Sequence, residues 1–355
     1  MDMNVRYQNI KKIYDKFQDE PSKQIFLARL KYSLTGETKE IDDLVRTEMD
    51  RYQAEDVMNR CLAWIRNNSH SSIAVFGAGW AGRQIIHVLQ LNGIKVDLIL
   101  DNNNTLWGKE LLGVKIADPQ CIKNSDMAVI LGVNKYKNEI FNQTKNILGS
   151  DERIFVPECE WWIGKWNQYF DEDIIKPTDK EIFVDAGSFD GNDSRRFINW
   201  AKGNYDCIYA FEPDVNNYNK MINNCSDIDN MVIEPFGLLD TEKQLRFTSG
   251  NTENSMFSEE GDVLIGVASL DNYLNGKPVT FLKMDIEGSE YQALEGAKNT
   301  IKEYKPKLAI CVYHNHEDII DIPMKILEFD DNYKFYLRHY SYLHTETVLY
   351  AINER

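Results

Sequence analysis

Carboxylates recur in this sequence where an open α/β sheet would present them to a ligand. Asp185, Gly187, Asp190 and Gly191 lie in EIFVDAGSFDG, a glycine turn after an apolar run, and Glu212 closes CIYAFEP, 25 residues beyond Gly187. A carboxylate at that second position can accept both hydroxyls of a ribose, which selects a nucleoside-like ligand. The turn lacks the third glycine and the neutral or basic surround of a pyrophosphate site, and two carboxylates crowd it instead. Negative groups held beside a glycine turn suit a cationic ligand better than a diphosphate. S-adenosylmethionine, with a sulfonium and an ammonium beside its ribose, has that charge pattern. Further on, Asp285 ends FLKMD and Glu287 follows two residues later, so both side chains can face one cleft. They can orient hydroxyls or bind a divalent ion, Mg²⁺ or Mn²⁺. His314 ends KLAICVYH and is the candidate general base. Taking the proton of a hydroxyl as a methyl group moves is worth about 10²- to 10⁴-fold. Holding the reacting atoms in line is worth more, roughly 7 to 11 kcal/mol.

An earlier turn, Gly77-Ala78-Gly79-Trp80-Ala81-Gly82, also follows an apolar run, and Asp101 stands 19 residues after Gly82. Glycines so placed let a backbone approach phosphate at a helix N-terminus, while the carboxylate accepts from a ribose. A mononucleotide, a nucleotide sugar, NAD or no ligand at all is compatible with this turn. The surrounding segment is too short to hold the six strands of a full dinucleotide fold.

These residues need elements to position them. Ile41, Leu44, Val45, Met49, Val57, Met58, Cys61, Leu62 and Ile65 recur mostly at three or four residues, which predicts a helical N-terminal segment over 1–69, a cap or a dimerising arm. SSIAVFGAG, WAGRQIIHVLQLNG and IKVDLILDN read as strand, helix and strand, and DMAVILGV and RIFVPE add strands, giving a small α/β domain over 70–157. A polar, aromatic linker over 158–180 follows, with Trp161, Trp162 and Trp166 as domain packing or a sugar platform. Over 181–355 strands alternate with helices, the pattern of a mainly parallel sheet wound on both faces, with MVIEPFG as one strand and a polar loop after it. SGNTENSMFSEEGD, residues 249–262, is a lid or solvated chain. YKFYLRHYSYLHTETVLYAI predicts a closing antiparallel hairpin. His316 and Asp318 read as a solvated turn, and His339 as a packing or substrate residue of that hairpin.

Composition narrows the function. The 355 residues imply two to three domains at about 150 residues each. No apolar run approaches the roughly 18 to 20 residues of a membrane span, and the N-terminus lacks the pattern of a secretory signal, so a cytoplasmic location is expected. Six scattered cysteines without ligand spacing predict free thiols. Residues 181–355 carry 16 basic against 30 acidic groups, a poor surface for a phosphate backbone, so nucleic acid is not expected as a partner.

VDAGSFDGNDS, FEPD, FLKMDIEGSEYQALEGA, LAICVYHNHEDIIDIP and FYLRHYS with ETVLYAI, in that order over about residues 180–352, resemble the FkbM-type methyltransferases. The resemblance implies a seven-strand Rossmann-like sheet with an antiparallel last strand, S-adenosylmethionine as cofactor and methylation of hydroxyls, mostly on sugars. It also implies site roles: Asp185, Gly187, Asp190 and Gly191 at the methionine end, Glu212 at the ribose and Gly237 near the adenine. The turn departs from the family at Ser188-Phe189, where small residues are commoner. GAGWAG, LDNN and GKELLGVKI resemble a small Rossmann-like nucleotide-sugar-binding domain found ahead of bacterial sugar-modifying enzymes. The resulting expectation is an O-methyltransferase acting on a nucleotide sugar or glycan, possible as a homo-oligomer. A nicotinamide-dependent oxidoreductase using GAGWAG, disfavoured by the lack of a following Tyr-x-x-x-Lys, and a non-catalytic module of glycan assembly are the alternatives.

Overall fold

The computed structural model describes residues 3–51, 55–68, 72–133, 136–157, 168–247 and 263–353. Trp161, Trp162, Trp166 and the 249–262 segment lie outside the described residues. The chain opens with four helices, α1 (Met3–Lys16), α2 (Glu20–Thr35), α3 (Lys39–Arg51) and α4 (Glu55–Asn68). Two compact units divide this helical segment at residues 40 and 41 rather than keeping it whole. Residues 1–40 belong with 166–339 and 345–355, and residues 41–165 belong with 340–344.

The front unit contains β1 (Ile73–Phe76), α5 (Trp80–Leu91), β2 (Leu98–Leu100), β3 (Glu110–Leu111), β4 (Val114–Ala117), β5 (Ala128–Leu131), α6 (Lys137–Leu148) and β6 (Ile154–Phe155). Its sheet has the order β3-β4-β2-β1-β5-β6, parallel except for β3. Six strands therefore form where fewer were expected, because β3 and β4 are too short to show a period. Ile41, Leu44, Val45, Cys61 and Leu62 are buried, as their helical spacing requires.

The rear unit runs β7 (Glu181–Ala186), α7 (Asn192–Trp200), β8 (Tyr205–Phe211), α8 (Val215–Asn224), β9 (Met231–Glu234), β10 (Phe236–Leu238), β11 (Lys243–Phe247) and β12 (Val263–Ala268). It continues with α9 (Leu270–Leu274), β13 (Phe281–Met284), α10 (Glu290–Gly296), α11 (Lys298–Tyr304), β14 (Lys307–Cys311), α12 (Asp318–Phe329), β15 (Tyr333–His339) and β16 (Thr347–Asn353). Seven strands pair in the order β15-β16-β14-β13-β7-β8-β9. Only β16 runs against its neighbours β14 and β15, as the hairpin and the family resemblance implied. All four residues of β13 are buried, as a parallel strand covered on both faces demands. Phe183 on β7 stacks on Phe197 of α7 at 4.3 Å, which fixes the helix that follows the glycine turn.

MVIEPFG does not form one strand. The chain bends at Pro235, and β10 joins a separate sheet of order β10-β12-β11, most of which sequence periodicity had left as loop. The open edge of the main sheet, β15, is covered by the N-terminal helices. Gln18 N–H donates to Phe335 O at 3.0 Å, Leu337 N–H donates to Ser22 Oγ at 2.8 Å, and Arg338 Nη2 meets Asp19 Oδ2 at 2.6 Å. An edge strand left bare would template pairing with another chain, so residues 1–40 serve the rear unit as an edge cover. No described helix is long and apolar enough to cross a membrane.

Candidate active site

The parallel strands β7, β8, β13 and β14 end at one edge of the rear sheet, and connections run outward in opposite directions from β7 and β13. Such a switch point opens a crevice beyond the strand ends. Gly187 turns there with φ +77°, and a Cβ on it would stand 1.8 Å from Asp285 O. Only glycine lets the turn after β7 pass that close to the end of β13. Gly191, at φ +84°, is the residue before α7, and a Cβ there would strike Cys225 Sγ at 2.3 Å.

Asp185 is fully buried. Its Oδ1 lies 3.0 Å from Lys283 Nζ, and its Oδ2 accepts from Ser194 Oγ at 2.9 Å. Lys283, 1% exposed on β13, also donates to Gly187 O at 2.8 Å and lies 3.4 Å from Asp193 Oδ2. Burial works against its charge, but Asp185, Asp193 and Asp285 outweigh burial and raise its pKa. The structure thus places Asp185 as the anchor of a cation that fastens the glycine turn. Sequence patterning missed Lys283, since a lysine in FLKM reads as one solvent-facing strand position.

Glu212 is buried at the end of β8. Its Oε2 accepts from Phe189 N–H and its Oε1 from Asp214 N–H, both at 2.9 Å. Burial pushes its carboxyl up to about 7. Phe189 holds φ +51° and presents an exposed ring, so the Ser188-Phe189 departure puts an aromatic surface at the turn. Asp190, half-buried, accepts from Asn192 N–H at 3.2 Å and Asn192 Nδ2 at 3.0 Å. Gly237 is buried within β10, opposite Val267, and Glu234 at the end of β9 accepts from Tyr273 OH at 2.8 Å.

Beyond β13 and β14 a second group assembles. Asp285 Oδ2 accepts from Tyr169 OH at 2.8 Å and Oδ1 from Tyr313 OH at 3.3 Å. Burial would raise the Asp285 carboxyl, but His314 and Lys283 hold it below the usual range. His314, with a side chain 10% exposed, faces three carboxylates: Glu290 Oε1 is 3.0 Å from Nδ1, and Asp285 Oδ1 and Glu287 Oε2 are each 3.5 Å from Nε2. Burial disfavours the imidazolium, yet Glu290, Asp285 and Glu287 together raise it to about 10. The three carboxylates thus favour the protonated imidazole over the neutral form that a general base needs. Glu287, at φ +55° with a side chain 42% exposed, is pushed up to about 8 by burial and by Asp285. Glu290 was read only as part of a helix, and the 286–289 turn is what carries it back to His314. Tyr169 was missed for a different reason: it lies in the segment read as linker. The His316 ring lies tilted against Tyr32 with centroids 5.5 Å apart, and Asp318 is buried rather than solvated, accepting from Asn315 N–H at 2.8 Å. His339 is buried against Thr347 Oγ1 at 2.9 Å, a packing residue.

In the front unit, Gly77 and Gly82 are required by packing, since a Cβ on Gly82 would stand 1.9 Å from Gly77 O and one on Gly77 would stand 2.6 Å from Gly132 O. Gly79 meets nothing within 4 Å. Asp101, expected to face a ribose, accepts from Ala78 N–H at 2.9 Å and Asn103 N–H at 2.8 Å, and so braces the turn.

Residues 185–342 match the family described as Methyltransferase FkbM domain, and residues 69–155 match the one described as C2185-like, N-terminal. The chain is an S-adenosylmethionine-dependent methyltransferase. Its rear unit carries the FkbM methyltransferase domain. Among solved structures, it is similar to Methyltransferase FkbM from Methylobacillus flagellatus KT at 20% identity, over 87% of this chain and 98% of that one, with a TM-score of 0.48. A rRNA methylase from Streptococcus thermophilus is similar at 18% identity, over 54% of this chain and 95% of that one, with a TM-score of 0.33. Aeropyrum pernix fibrillarin in complex with natively bound S-adenosyl-L-methionine is similar at 12% identity, over 50% of this chain and 67% of that one, with a TM-score of 0.32. Among curated proteins none matches the chain.

Proposed function

We propose that this methyltransferase transfers its methyl group to a sugar hydroxyl of a nucleotide sugar or glycan. The supporting observation is the gathering of acceptors at the ends of β13 and β14, where Asp285 and the exposed carboxylate of Glu287 stand together. Carboxylates accept from the paired hydroxyls of a sugar and repel phosphate chains. On the cofactor side, Glu212 takes the ribose hydroxyls, the 187–191 turn lines the methionine end, and Gly237 lies toward the adenine. Asp185 acts through Lys283 on the shape of that turn. Proton acceptance from the sugar hydroxyl falls to the ionised fraction of Glu287, the most exposed carboxyl of the group and one pushed up to about 8, while the charge on His314 holds Asp285 and Glu287 in place. The front unit, where a Cβ on Gly79 would meet nothing within 4 Å, is by itself a candidate nucleotide-binding unit. Among the described residues five cysteines are free, Cys61 and Cys311 among the buried ones, which supports a reducing, cytoplasmic setting. Mass spectrometry of glycans and nucleotide sugars from cells with and without the protein tests the acceptor. A methylated sugar that disappears with the gene is the expected result, and an unchanged sugar profile with a lost methyl group on protein or nucleic acid overturns the proposal.

A further inference from the structure

The group around His314 holds more negative charge than its own cations balance. Asp285, Glu287 and Glu290 converge on one imidazole, while the nearest ammonium, Lys283, is committed to Asp185 and Gly187 O. Glu290 is 0% exposed, and its Oε1 is fixed by Ile286 N–H at 2.8 Å. Its Oε2 is buried with no hydrogen-bond partner. The same is true of both ring nitrogens of His314: Nδ1 stands 3.0 Å from Glu290 Oε1 without the alignment of a hydrogen bond. Buried polar atoms are nearly always satisfied, so three orphans on two touching side chains point to a partner that is not part of the chain.

One ligand atom each from Asp285, Glu290 and His314 lie within 4.8 Å of one another. Bonds of about 2.1 Å place neighbouring ligand atoms about 3 Å apart and opposite ones about 4.2 Å apart, so the three groups stand close to the spacing that one ion requires. We propose that Asp285, Glu290 and His314 bind a divalent first-row transition ion of the Mn²⁺ kind at the carboxyl edge of the rear sheet. An imidazole with two carboxylates suits such an ion, whereas Mg²⁺ prefers an all-oxygen shell. The ion takes the place of a proton on the imidazole, and Glu287 stands at the mouth as the entry carboxylate. With three protein ligands, open positions remain for an acceptor oxygen, which the ion would hold and polarise as a Lewis acid. The assignment does not depend on the sugar acceptor, because it can be read with no acceptor present.

The test is a titration of the full chain with Mn²⁺ alone, followed by electron paramagnetic resonance with detection of ¹⁴N coupling. Saturable binding of one ion per chain with ¹⁴N coupling is expected, as is weaker displacement by Mg²⁺ than by Zn²⁺. His314→Gln should abolish the coupling and weaken binding by at least about tenfold, with circular dichroism confirming the fold. The wild-type spectrum decides the matter even if that variant does not fold. No saturable Mn²⁺ binding, or bound Mn²⁺ without ¹⁴N coupling, overturns the site. S-adenosylhomocysteine titrated into the same sample separates the two conclusions: binding of it without Mn²⁺ binding removes the metal site and leaves the methyltransferase standing.

Discussion

Lowering the pH is expected to weaken S-adenosylhomocysteine binding through a single buried carboxyl, Glu212. That side chain is 6% exposed, and burial pushes it from 4.5 to about 7. Two backbone N–H groups at 2.9 Å fix its direction, which leaves its remaining lone pairs for the ribose. Hydrogen bonds to a charged group contribute about 1.5 to 3 kcal/mol each, so loss of one charged acceptor is worth about 10- to 100-fold in affinity. Below about pH 7 the carboxylate fraction falls about tenfold per unit, and the apparent Kd should rise in step until binding by the neutral form takes over. Isothermal titration calorimetry between about pH 5.5 and 8.5 measures this, and Glu212→Gln should flatten the curve at the weak limit. On folding the same group acts with the opposite sign. Its folded-state pKa lies above its unfolded value, so the protonated acid favours the folded chain. Its contribution is complete below 4.5 and is lost as pH rises through about 7, by at most about 3 kcal/mol. Urea unfolding should therefore show Glu212→Gln gaining on the wild type across that window. A Kd that stays constant from about pH 8 to 6, or a variant that binds as tightly as the wild type, would refute the ribose role of Glu212.

Other substitutions test how the site is held together. Gly187→Ala forces a methyl group to 1.8 Å from Asp285 O at φ +77°, and should cost more than about 3 kcal/mol by denaturant unfolding; an unchanged midpoint would show that the turn is not where it is described. Lys283→Met strands the buried Asp185 charge and should cost about 3 to 5 kcal/mol, much of it regained in the double variant with Asp185→Asn; additive losses would exclude the pair. Arg338→Met removes the contacts to Asp19 and Ser22 that hold α2 on β15, with an expected loss of about 1.5 to 3 kcal/mol and faster hydrogen exchange over residues 20–35; unaltered exchange would mean that apolar packing alone seals the edge.

The strand and helix alternation of the rear unit was legible because each strand is a short apolar run ended by glycine or an acid, and each intervening helix has its own period. The glycine turn, Glu212, Asp285 and Glu287 were legible for the same reason: they sit at strand ends, where sequence position fixes spatial position. Lys283 was not, because burial of a charge depends on a partner 98 residues away. Glu290 was hidden within an ordinary amphipathic helix, and its meaning arises only when the turn through Gly288 returns it to His314. The strand end gave the place of His314, whereas the three surrounding carboxylates that set its charge come from the turn and helix after β13. The small second sheet escaped notice because Pro235 divides an apparently continuous strand and β11 carries the alternating pattern of an exposed edge.

Incubating the purified chain with S-adenosylmethionine labelled in its methyl group, together with fractionated nucleotide sugars and glycans, tests most directly what the rear unit does. Label on a sugar oxygen, with the product heavier by one CH₂ and the transfer lost in Glu287→Gln, is the expected result. Label that stays on the cofactor while S-adenosylhomocysteine binds normally, or that moves to nucleic acid or protein, would contradict it.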